Sequence, residues 1–593
     1  MEYQENPLLR LANDFVQQTG CNIFLTGKAG TGKTTFLHQL RNNTSKRMVV
    51  LAPTGVAAIN AGGVTIHSFF QLPFGPQLPE SNPHDGMSEE QAARSSASRL
   101  QHFNRDKINI IKSLDLLVID EISMVRADLL DAIDAVLRRY RNRQAPFGGV
   151  QLLMIGDLQQ LAPVVKEDEW ALLSQYYDTC YFFSSRALKQ SEFIGIELRH
   201  IYRQQDQKFI SILNQVRDNQ LTASTIQSLN ERYVPGFVPK DDEGYITLTT
   251  HNNLAQKIND SRLEKLKESK MSFKATIDGD FPEYAYPTEA NLILKKGAQV
   301  MFVKNDTSFL KQYYNGKIGI VTHLDDDIIY VKCEGDEDPI TVTPVEWQNC
   351  RYSINDENKE IQEEIIGSFT QFPLKLAWAI TIHKSQGLTF EKAIIDAQSA
   401  FAHGQVYVAL SRCKTLEGLV LSTPIVSQAI KTDYTVSRFC KDVEEKQPDE
   451  ARFRQKKNEF QKTLLQELFD FVPLQKRLSY FVKLLEENKG SIEVKLIDAF
   501  RNLIQEINTG FKDVAGRFFI QVAPLIEKEP DIESNIVLQE RIRKGCSYFT
   551  SLLNDKAEAL ILETPVETDN KTVKKQLNDS LAKIREVYLV KKA

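Results

Sequence analysis

The 593-residue sequence has few of the residues that build cross-linked or metal-bound folds. Its seven cysteines are scattered, with no CxxC pair and no Cys/His cluster, which argues against a disulfide framework and a structural zinc site. No stretch approaches about 18 consecutive apolar residues, so no membrane-spanning segment is predicted. The first residues, MEYQENP, have neither an apolar signal core nor an Arg-rich transit character. We therefore expect cytoplasmic localisation and no membrane partner.

An excess of basic charge is also absent, because the formal net charge is −5. A strongly basic body that binds nucleic acid over its whole surface is thereby excluded, and any such contact must be local and salt-sensitive. The composition, 42% hydrophobic and 25% charged, is that of an ordinary globular protein. The length exceeds what one hydrophobic core supports, so several domains are expected.

The stretch GKAGTGKT at 27–34 matches the pattern G-x-x-x-x-G-K-[ST]. It follows the β-favouring segment NIFLT and precedes TTFLHQL, which has helical apolar spacing, so a chance glycine-rich turn is disfavoured. In this motif the backbone amides cradle a phosphate, Lys33 reaches the β and γ oxygens, and the Thr34 hydroxyl ligates Mg²⁺. The expected nucleotide-binding residues are Gly27, Ala29, Gly30, Thr31, Gly32, Lys33, Thr34 and Thr35, with Gly387 from a later loop.

Two acidic residues end the next apolar strand, LDLLVIDE at 114–121. Ligands of parallel sheets gather at the carboxyl ends of strands, so Asp120 is expected to hold Mg²⁺ and Glu121 to orient and deprotonate a water. A strand that ends in solvated acids is the alternative, and the neighbouring phosphate loop disfavours it. A further apolar strand, VQLLMIGDLQQLAPV at 150–164, places Gln160 in the turn that follows. Alternating apolar strands and helices predict a parallel α/β sheet.

Further stretches follow the phosphate loop in a fixed order: APTGVAA, TIHSFF, IDEISMV and GDLQQLAPV. Together they resemble the successive motifs of superfamily-one DNA helicases. The stretch 128–151, which ends in APFGGVQ, resembles a signature of the PIF family within them. LRHIYRQQDQKFI at 198–210, ITIHKSQG at 380–387 and GQVYVALSRC at 404–413 resemble the fourth, fifth and sixth motifs.

The resemblance implies ATP and Mg²⁺ as cofactors and gives roles to two arginines, Arg203 and Arg412. The implied catalytic set is Lys33, Asp120, Glu121, Gln160, Arg203 and Arg412. The implied DNA-binding set is Pro53, Thr54, Gly55, His67, Ser68, Phe69, His383, Lys384 and Ser385. Gln4 and Asn6 are the two candidates for the family's adenine-reading position.

The resemblance also predicts an α/β fold with two RecA-like P-loop NTPase domains. The first covers 1–190, with a small insertion around 71–110, and the second covers 191–274 and 371–430. Short strands separated by Gly, Asn and Asp turns indicate a small β-barrel between about 275 and 370, for which the family implies an SH3-like module. Leu, Ile and Phe at helical spacing predict an all-helical accessory domain over 441–593, whose basic runs are typical of solvated faces.

The predicted function is that of an ATP-dependent DNA helicase that translocates on single-stranded DNA. The family implies 5′-to-3′ movement, tailed or forked duplex substrates, and roles in replication, repair or maintenance of telomeres and G-quadruplexes. A protein partner is expected for the helical region. The alternatives are a RecD-like recombination motor and an ATP-gated DNA-binding factor that hydrolyses weakly; the PFGG signature disfavours the first and the complete hydrolytic set disfavours the second.

Overall fold

The computed structural model describes residues 6–79, 103–202, 206–240, 243–306, 308, 311–354, 361–396, 404–426 and 433–592. The chain divides into two units, Met1–Pro448 and Asp449–Ala593. The first unit contains two parallel sheets and a β-rich insertion, and the second is helical. In the part of the chain that is described, no helix is both long and apolar enough to cross a membrane.

The first sheet has six strands, and every neighbouring pair is parallel. Most of its strands are apolar and buried on both faces, as parallel sheets covered by helices require. The strands are β1 (Asn22–Gly27), β2 (Met48–Ala52), β3 (Val64–Thr65), β4 (Leu116–Ile119), β5 (Gln151–Ile155) and β6 (Phe193–Leu198), in the spatial order β3-β2-β4-β5-β1-β6.

Several helices of the first domain begin at capping side chains, whereas the helix after the phosphate loop and the helix Ala127–Tyr140 do not. Asn6, Thr54, Thr65 and Asn104 each accept a hydrogen bond from a backbone amide in the first turn of the helix that follows. The helices are α1 (Pro7–Gln18), α2 (Lys33–Asn43), α3 (Gly55–Ala61), α4 (Ile66–Phe70), α5 (Arg105–Ser113), α6 (Ala127–Tyr140), α7 (Glu167–Leu173) and α8 (Arg186–Lys189). Short 3₁₀ turns lie at Ile122–Met124, Pro146–Gly149 and Phe182–Ser184.

The second sheet is also parallel and has four strands in the order β18-β7-β19-β20. Its strands are β7 (Ile246–Thr249), β18 (Ala379–Thr381), β19 (Ala393–Ile395) and β20 (Leu419–Leu421). Its helices are α9 (Gln207–Arg217), α10 (Ala223–Asn230), α11 (Asn252–Lys265) and α12 (Gln405–Ser411). A separate core of buried apolar residues from these elements stabilises the second domain.

Between β7 and β18 the chain forms three small antiparallel sheets. Five strands pair in the order β14-β13-β12-β11-β17, three in the order β15-β16-β9, and two as β10-β8. The strands are β8 (Met271–Lys274), β9 (Thr276–Gly279), β10 (Asn291–Leu294), β11 (Gln299–Phe302), β12 (Ile318–Leu324), β13 (Ile329–Cys333), β14 (Ile340–Val342), β15 (Val345–Ile354), β16 (Ile361–Gln371) and β17 (Leu374–Leu376). The insertion thus spans 271–376, slightly more than the predicted 275–370.

The long hairpin of β15 and β16 reaches the first domain. The Tyr352 hydroxyl accepts a hydrogen bond of 3.1 Å from the backbone amide of Val50, in β2. The Tyr352 ring lies edge-on to Phe69, with centroids 6.0 Å apart, and Lys107 lies over the Phe69 ring. The hairpin therefore packs on the core of the first domain through one buried side chain.

Three predicted domain limits differ from the structure. Strand β6 pairs with β1, so the first domain extends past 190 to at least Leu198. Helix α5 contributes Ile110 and Ile111 to the first core, so the predicted insertion around 71–110 ends before that helix. Residues 80–102 of that insertion lie outside the described residues.

The third limit concerns the start of the helical region. Helix α13 (Tyr434–Glu445) packs on the first sheet, since its Phe439 stacks on Phe183 with centroids 4.3 Å apart and its Val443 faces Gly195 of β6. The helical unit therefore begins at Asp449 rather than at 441.

The second unit is built from helices around its own core of leucine, isoleucine and phenylalanine side chains. Its α-helices are α14 (Glu450–Leu468), α15 (Val472–Glu487), α16 (Val494–Glu506), α17 (Asp513–Lys528), α18 (Ile536–Leu553), α19 (Ala559–Leu562) and α20 (Lys571–Lys592). Two π-helical turns, Ile507–Lys512 and Asn554–Glu558, continue α16 into α17 and α18 into α19. The predicted fold class is confirmed: two parallel α/β domains, a small β insertion and a C-terminal helical region.

Candidate nucleotide and DNA site

A cavity of about 780 Å³ lies between the two α/β domains. The first domain contributes the phosphate loop and the ends of β2 and β4, and the second contributes the loop after β18 and the end of α12. The carboxyl ends of parallel strands are where ligands of such sheets bind. The cavity is large enough for a nucleotide, because ligand pockets are typically about 300–1,000 Å³.

The phosphate loop joins β1 to α2 in the conformation that its glycines permit. Gly27, Gly30 and Gly32 have φ values of 148°, 79° and 89°, which favour glycine. The Lys33 ammonium donates to the backbone carbonyls of Gly27 (2.6 Å) and Lys28 (3.0 Å), so it folds over the loop. Burial lowers the pKa of Lys33, although nearby carboxylates oppose this shift. A buried cation held over inward-turned amides suits a phosphate group.

Two carboxylates face the loop from the end of β4: Asp120 is buried and Glu121 is half-buried. Burial raises the pKa of Asp120 to about 6 and that of Glu121 to about 7, and in Glu121 the neighbouring Asp120 charge adds to the effect. Glu121 has a left-handed backbone, with φ 52°, which is uncommon for a residue with a side chain. Its carboxylate accepts a hydrogen bond of 2.8 Å from the Gln386 amide of the second domain.

These carboxylates fit a divalent cation. Adjacent anions favour a positive charge between them, and Thr34 lines the same cavity with a hydroxyl oxygen. Oxygen donors of this kind are what Mg²⁺ prefers. Thr34 and Asp120 are therefore suitable ligands.

A buried ion-pair network connects the turn after β5 with the second domain. The Arg217 guanidinium, at the end of α9, donates to Asp157 (3.2 Å) and Glu197 (3.5 Å) of the first domain. The other oxygen of Asp157 accepts from the Gln160 amide at 3.2 Å. Burial opposes ionisation of Asp157, but the Arg217 and Lys33 charges hold its pKa below the usual value. Arg217 thereby fixes the carboxylate that orients Gln160.

Two more contacts join the domains at this cavity. The Tyr407 hydroxyl, on α12, accepts a hydrogen bond of 3.2 Å from the Ala29 amide of the phosphate loop. Gly404 stands against the turn that carries Gln160, where a Cβ atom would lie 1.9 Å from the Gln160 carbonyl oxygen. Only glycine fits there, because any side chain would force α12 away from the first domain.

Arg412 lines the cavity although it is only 2% exposed. Its guanidinium donates to the carbonyls of Val408 (3.1 Å) and Leu388 (3.2 Å) and to the Ser411 hydroxyl (3.2 Å). The positive charge of Arg412 is felt at Glu121, where it acts to lower the carboxylate pKa against the effect of burial. The guanidinium is therefore held beside the cavity by its own domain.

The predicted DNA-binding residues are not all at one surface. Thr54, Gly55, His383 and Lys384 line the cavity, whereas Pro53 is half-buried at the end of β2.

His67 is half-buried and Ser68 is exposed at the start of α4. Phe69 is 1% exposed and belongs to the first core, which contradicts its predicted contact with DNA. Ser385 is fully buried and its hydroxyl donates to the Ile382 carbonyl at 2.7 Å, so that hydroxyl is not available to a strand. The buried Phe69 and Ser385 side chains stabilise the segments that carry their more exposed neighbours.

Two predicted residues, Arg203 and Gln4, lie outside the described residues. Asn6, the other adenine-reading candidate, lines the cavity and donates from its amide to the Tyr202 hydroxyl at 3.2 Å. Tyr202 lies against the phosphate loop, because its backbone amide donates to the Gly30 carbonyl at 2.8 Å. An asparagine and an aromatic ring thus stand together at the end of the cavity nearest α1.

Comparisons with known proteins agree with this geometry. A family model described as PIF1-like helicase matches residues 2–227, and one described as DNA helicase, middle domain, matches residues 452–593. The ATP-dependent DNA helicase Pif1 of Bdellovibrio bacteriovorus is 31% identical over 414 residues, which are 68% of this chain and 84% of that protein. Its counterpart in Campylobacter jejuni is 31% identical over 453 residues, 71% of this chain and 94% of that protein. The chain belongs to the PIF1-like helicase family.

Solved Pif1 structures cover about three quarters of the chain. Bacteroides sp Pif1 in complex with ADP-AlF4 is 42% identical, with a TM-score of 0.67 over 75% of this chain and 98% of that one. Bacteroides Pif1 bound to ssDNA is 42% identical, with a TM-score of 0.52 over 74% of this chain and 97% of that one.

Several residues at or near the site have roles that could not be predicted from the sequence. Tyr202 and Tyr407 lie within the stretches 198–210 and 404–413, but those motifs gave them no role, and Arg217 lies in none of the motifs. Their contacts with the phosphate loop and with Asp157 follow only from the fold. Asp157 was visible at the end of β5, but its role depends on the distant Arg217. Gln386 lies in the HKSQG loop, whose polar side chains suggest donors for a phosphodiester backbone, but its hydrogen bond to Glu121 of the other domain follows only from the fold.

Proposed function

We propose that this chain is an ATP-dependent DNA helicase that translocates on single-stranded DNA. The observation that supports it best is the single cavity that is lined by the phosphate loop and by the predicted DNA loops of both domains. The hydrogen bond from Gln386 to Glu121 supports it further, because it joins the loop of Lys384 to the proposed catalytic base. The Bacteroides Pif1 structures with ADP-AlF4 and with ssDNA, and a structure of two Pif1 helicases at forked dsDNA, are consistent with the same activity.

In this proposal ATP binds between the two domains. Lys33 leaves the loop carbonyls for the β and γ phosphates, and Thr34 and Asp120 hold Mg²⁺. When bound, the ion would neutralise charge on the phosphate oxygens. Glu121 positions a water and accepts its proton, and Gln160 senses the γ phosphate.

Arg412 supplies the transition-state charge from the second domain. Arg203 is proposed as a further arginine for the phosphates. The loops that carry Thr54 and Lys384 grip the sugar-phosphate backbone without reading sequence. Each cycle of cleft closure and opening then moves the strand, in the 5′-to-3′ direction that the family implies.

The proposal is tested by unwinding of duplexes with a single-stranded tail at either the 5′ or the 3′ end. We expect ATP-dependent unwinding of the 5′-tailed duplex only. Lys33→Ala is the matched control, since it removes the cation for the phosphates and should abolish unwinding while the protein stays folded. ATP hydrolysis that single-stranded DNA does not stimulate would instead support the ATP-gated binding factor.

A further inference from the structure

One aromatic ring next to the proposed DNA loops is exposed to solvent. Phe74 is 84% exposed, whereas Phe69 and Phe70, a few residues earlier, are each 1% exposed. Leaving such a ring in water forgoes about 1.5–3 kcal/mol of burial. Among the described residues its ring contact is with His67: the two centroids are 4.7 Å apart and the planes are inclined by 24°, which is a stacked arrangement.

The backbone that carries Phe74 is fixed by a buried ion pair. Arg126 and Asp128 pair at 2.7 Å, with side chains 14% and 1% exposed. Arg126 donates to the Gly75 carbonyl at 2.7 Å, and Asp128 accepts from the Gln77 amide at 2.7 Å. The exposed ring therefore stands on a turn that the first domain holds from both sides, and a ligand need not order it on binding.

The ring beneath Phe74 is suited to stacking. Burial lowers the pKa of His67, and the nearby Arg126 charge acts in the same direction, so the imidazole is neutral at neutral pH. His67 lies at the start of α4 beside the exposed Ser68, in a loop that the family resemblance assigns to DNA. Aromatic rings on a fixed support bind unpaired bases by stacking, and they do so without sequence preference because every base has a π face.

We propose that His67 and Phe74 form a base-stacking step, with an unpaired DNA base resting on the face of Phe74 that is turned away from His67. The step gives the first domain a contact with bases in addition to its contacts with phosphates. The proposal rests on the proposed function, since it requires that single-stranded DNA passes this loop. Phe69, which the resemblance places in the DNA-binding set, is buried in the core, and in this proposal Phe74 contacts the DNA instead.

The first test measures binding of a fluorescent oligo-dT by Phe74→Ala, Phe74→Leu and Phe74→Tyr. Loss of one stacked base is worth about 1–3 kcal/mol, so Phe74→Ala should weaken binding about 5- to 150-fold. Phe74→Leu should weaken oligo-dT binding nearly as much, whereas Phe74→Tyr should bind oligo-dT as tightly as the parent. The slope of log K against log salt should not change, because the ring neutralises no phosphate. A changed slope would show that the substitution acts through phosphate contacts and would overturn the proposal.

The second test uses Phe74→Trp as a spectroscopic probe. Its emission, after subtraction of the parent signal from Trp170, Trp347 and Trp378, should be quenched when oligo-dT binds. Tyr434→Ala is the matched control, because Tyr434 is also an exposed aromatic residue of the same unit, at 78%, and should not affect binding.

If Phe74→Ala binds oligo-dT as tightly as the parent, or if the tryptophan is not quenched, this proposal is wrong while the helicase proposal stands. A parent that does not bind oligo-dT overturns both.

Discussion

Glu121 of the first domain is the proposed catalytic base, and it is hydrogen-bonded to the second domain. Its left-handed backbone turns the carboxylate from the end of β4 into the cavity, where Gln386 of the second domain donates to it. A backbone conformation of this kind costs on the order of 1 kcal/mol or more and persists where the surroundings enforce it. A movement of the loop that contains Gln386 therefore changes the surroundings of the proposed base directly.

Glu121→Gln should keep the acceptor for Gln386 but remove the base. We expect kcat for DNA-stimulated ATP hydrolysis to fall about 10²- to 10⁴-fold, the usual contribution of a positioned base. The Kd for ATP should change little, because Lys33, Thr34 and Asp120 remain. Steady-state hydrolysis measured together with nucleotide binding checks this, and hydrolysis at the parent rate would remove Glu121 from the mechanism.

Arg412→Ala should affect the transition state more than binding. Arginines that reach transferring phosphates are worth about 10³–10⁵ in rate, so kcat should fall by that order while the Kd for ATP changes much less. Arg412 is buried and hydrogen-bonded to carbonyls, so Arg412→Lys, together with a melting curve, controls for loss of packing. An ATPase rate close to the parent's in a folded Arg412→Ala variant would contradict the assigned role.

Arg217→Lys should lower kcat without raising KM for ATP. One guanidinium nitrogen of Arg217 contacts both Asp157 and Glu197, and the other pairs with Asp218. Lysine keeps the charge, but its single ammonium group cannot hold all three carboxylates in this geometry, so Gln160 loses its fixed partner. Loss of a charged hydrogen bond corresponds to about a tenfold effect or more. Arg138→Lys alters an Arg–Asp pair whose hydrogen bonds go to Asp134 and Gln190 instead of the Asp157 network, and it serves as the control. A higher KM with unchanged kcat would mean that Arg217 supports nucleotide binding only.

Among single residues of the site, those that could be predicted from the sequence belong to short, contiguous motifs. Lys33 and Glu121 each lie in such a motif, so their neighbours in the chain indicate their chemistry. Arg217 and Tyr407 could not be found this way, since their partners lie in the other domain. The prediction that Phe69 contacts DNA was wrong for a similar reason. The motif TIHSFF does not indicate which aromatic rings in and around it are buried in the core.

The hairpin of β15 and β16 makes a contact between residues that are far apart in the sequence. It leaves the insertion and places Tyr352 against β2, where the hydroxyl is the acceptor for a buried backbone amide. An unpaired buried amide is costly, so this one hydroxyl contributes to both the first sheet and the position of the hairpin.

Tyr352→Phe should lower stability by about 1–3 kcal/mol, because the Val50 amide loses its acceptor while the ring remains. The expected result is a lower melting temperature and faster hydrogen exchange at Val50. Tyr286→Phe removes a hydroxyl elsewhere in the same insertion and should leave the exchange at Val50 unchanged. Equal exchange rates in Tyr352→Phe and the parent would show that the hairpin is not anchored through this contact.

The type of most elements could be predicted from sequence, but the assignment of strands to sheets could not. The segment FIGIEL of β6 is apolar like its neighbours, and only its pairing with β1 places it in the first sheet. Helix α13 is amphipathic like the helices after it, and the stacking of Phe439 on Phe183 decides to which unit it belongs. Both depend on contacts between residues far apart in the chain.

At the scale of the whole molecule, the chain is two units with separate cores. All proposed site residues lie in the first unit. The second unit has its own helices, caps and apolar interior, so each should fold without the other.

A chain truncated after Pro448 should therefore fold and keep ATP hydrolysis that single-stranded DNA stimulates. The cut is placed after α13, because a cut near 441 would remove side chains that pack on the first sheet. The measurement compares DNA-stimulated kcat in the truncated and full chains. A truncated protein that binds ATP but does not respond to DNA would make the helical unit part of the motor.

The insertion between strands β7 and β18 of the second sheet also affects how the chain folds during synthesis. Strand β7 pairs with β18, although the insertion separates Thr247 from its partner Ala379 by more than a hundred residues. At the usual rate of synthesis, about 5–20 residues per second, β7 leaves the ribosome roughly ten seconds before that partner exists. During this interval the apolar strand β7 lacks its partner β18. Their pairing depends on the insertion folding first, because the folded insertion brings the segments on either side of it together. The nascent chain therefore acquires its β insertion before its second nucleotide-facing domain, and a slow codon or a destabilised insertion would prolong the stage that is most prone to aggregation.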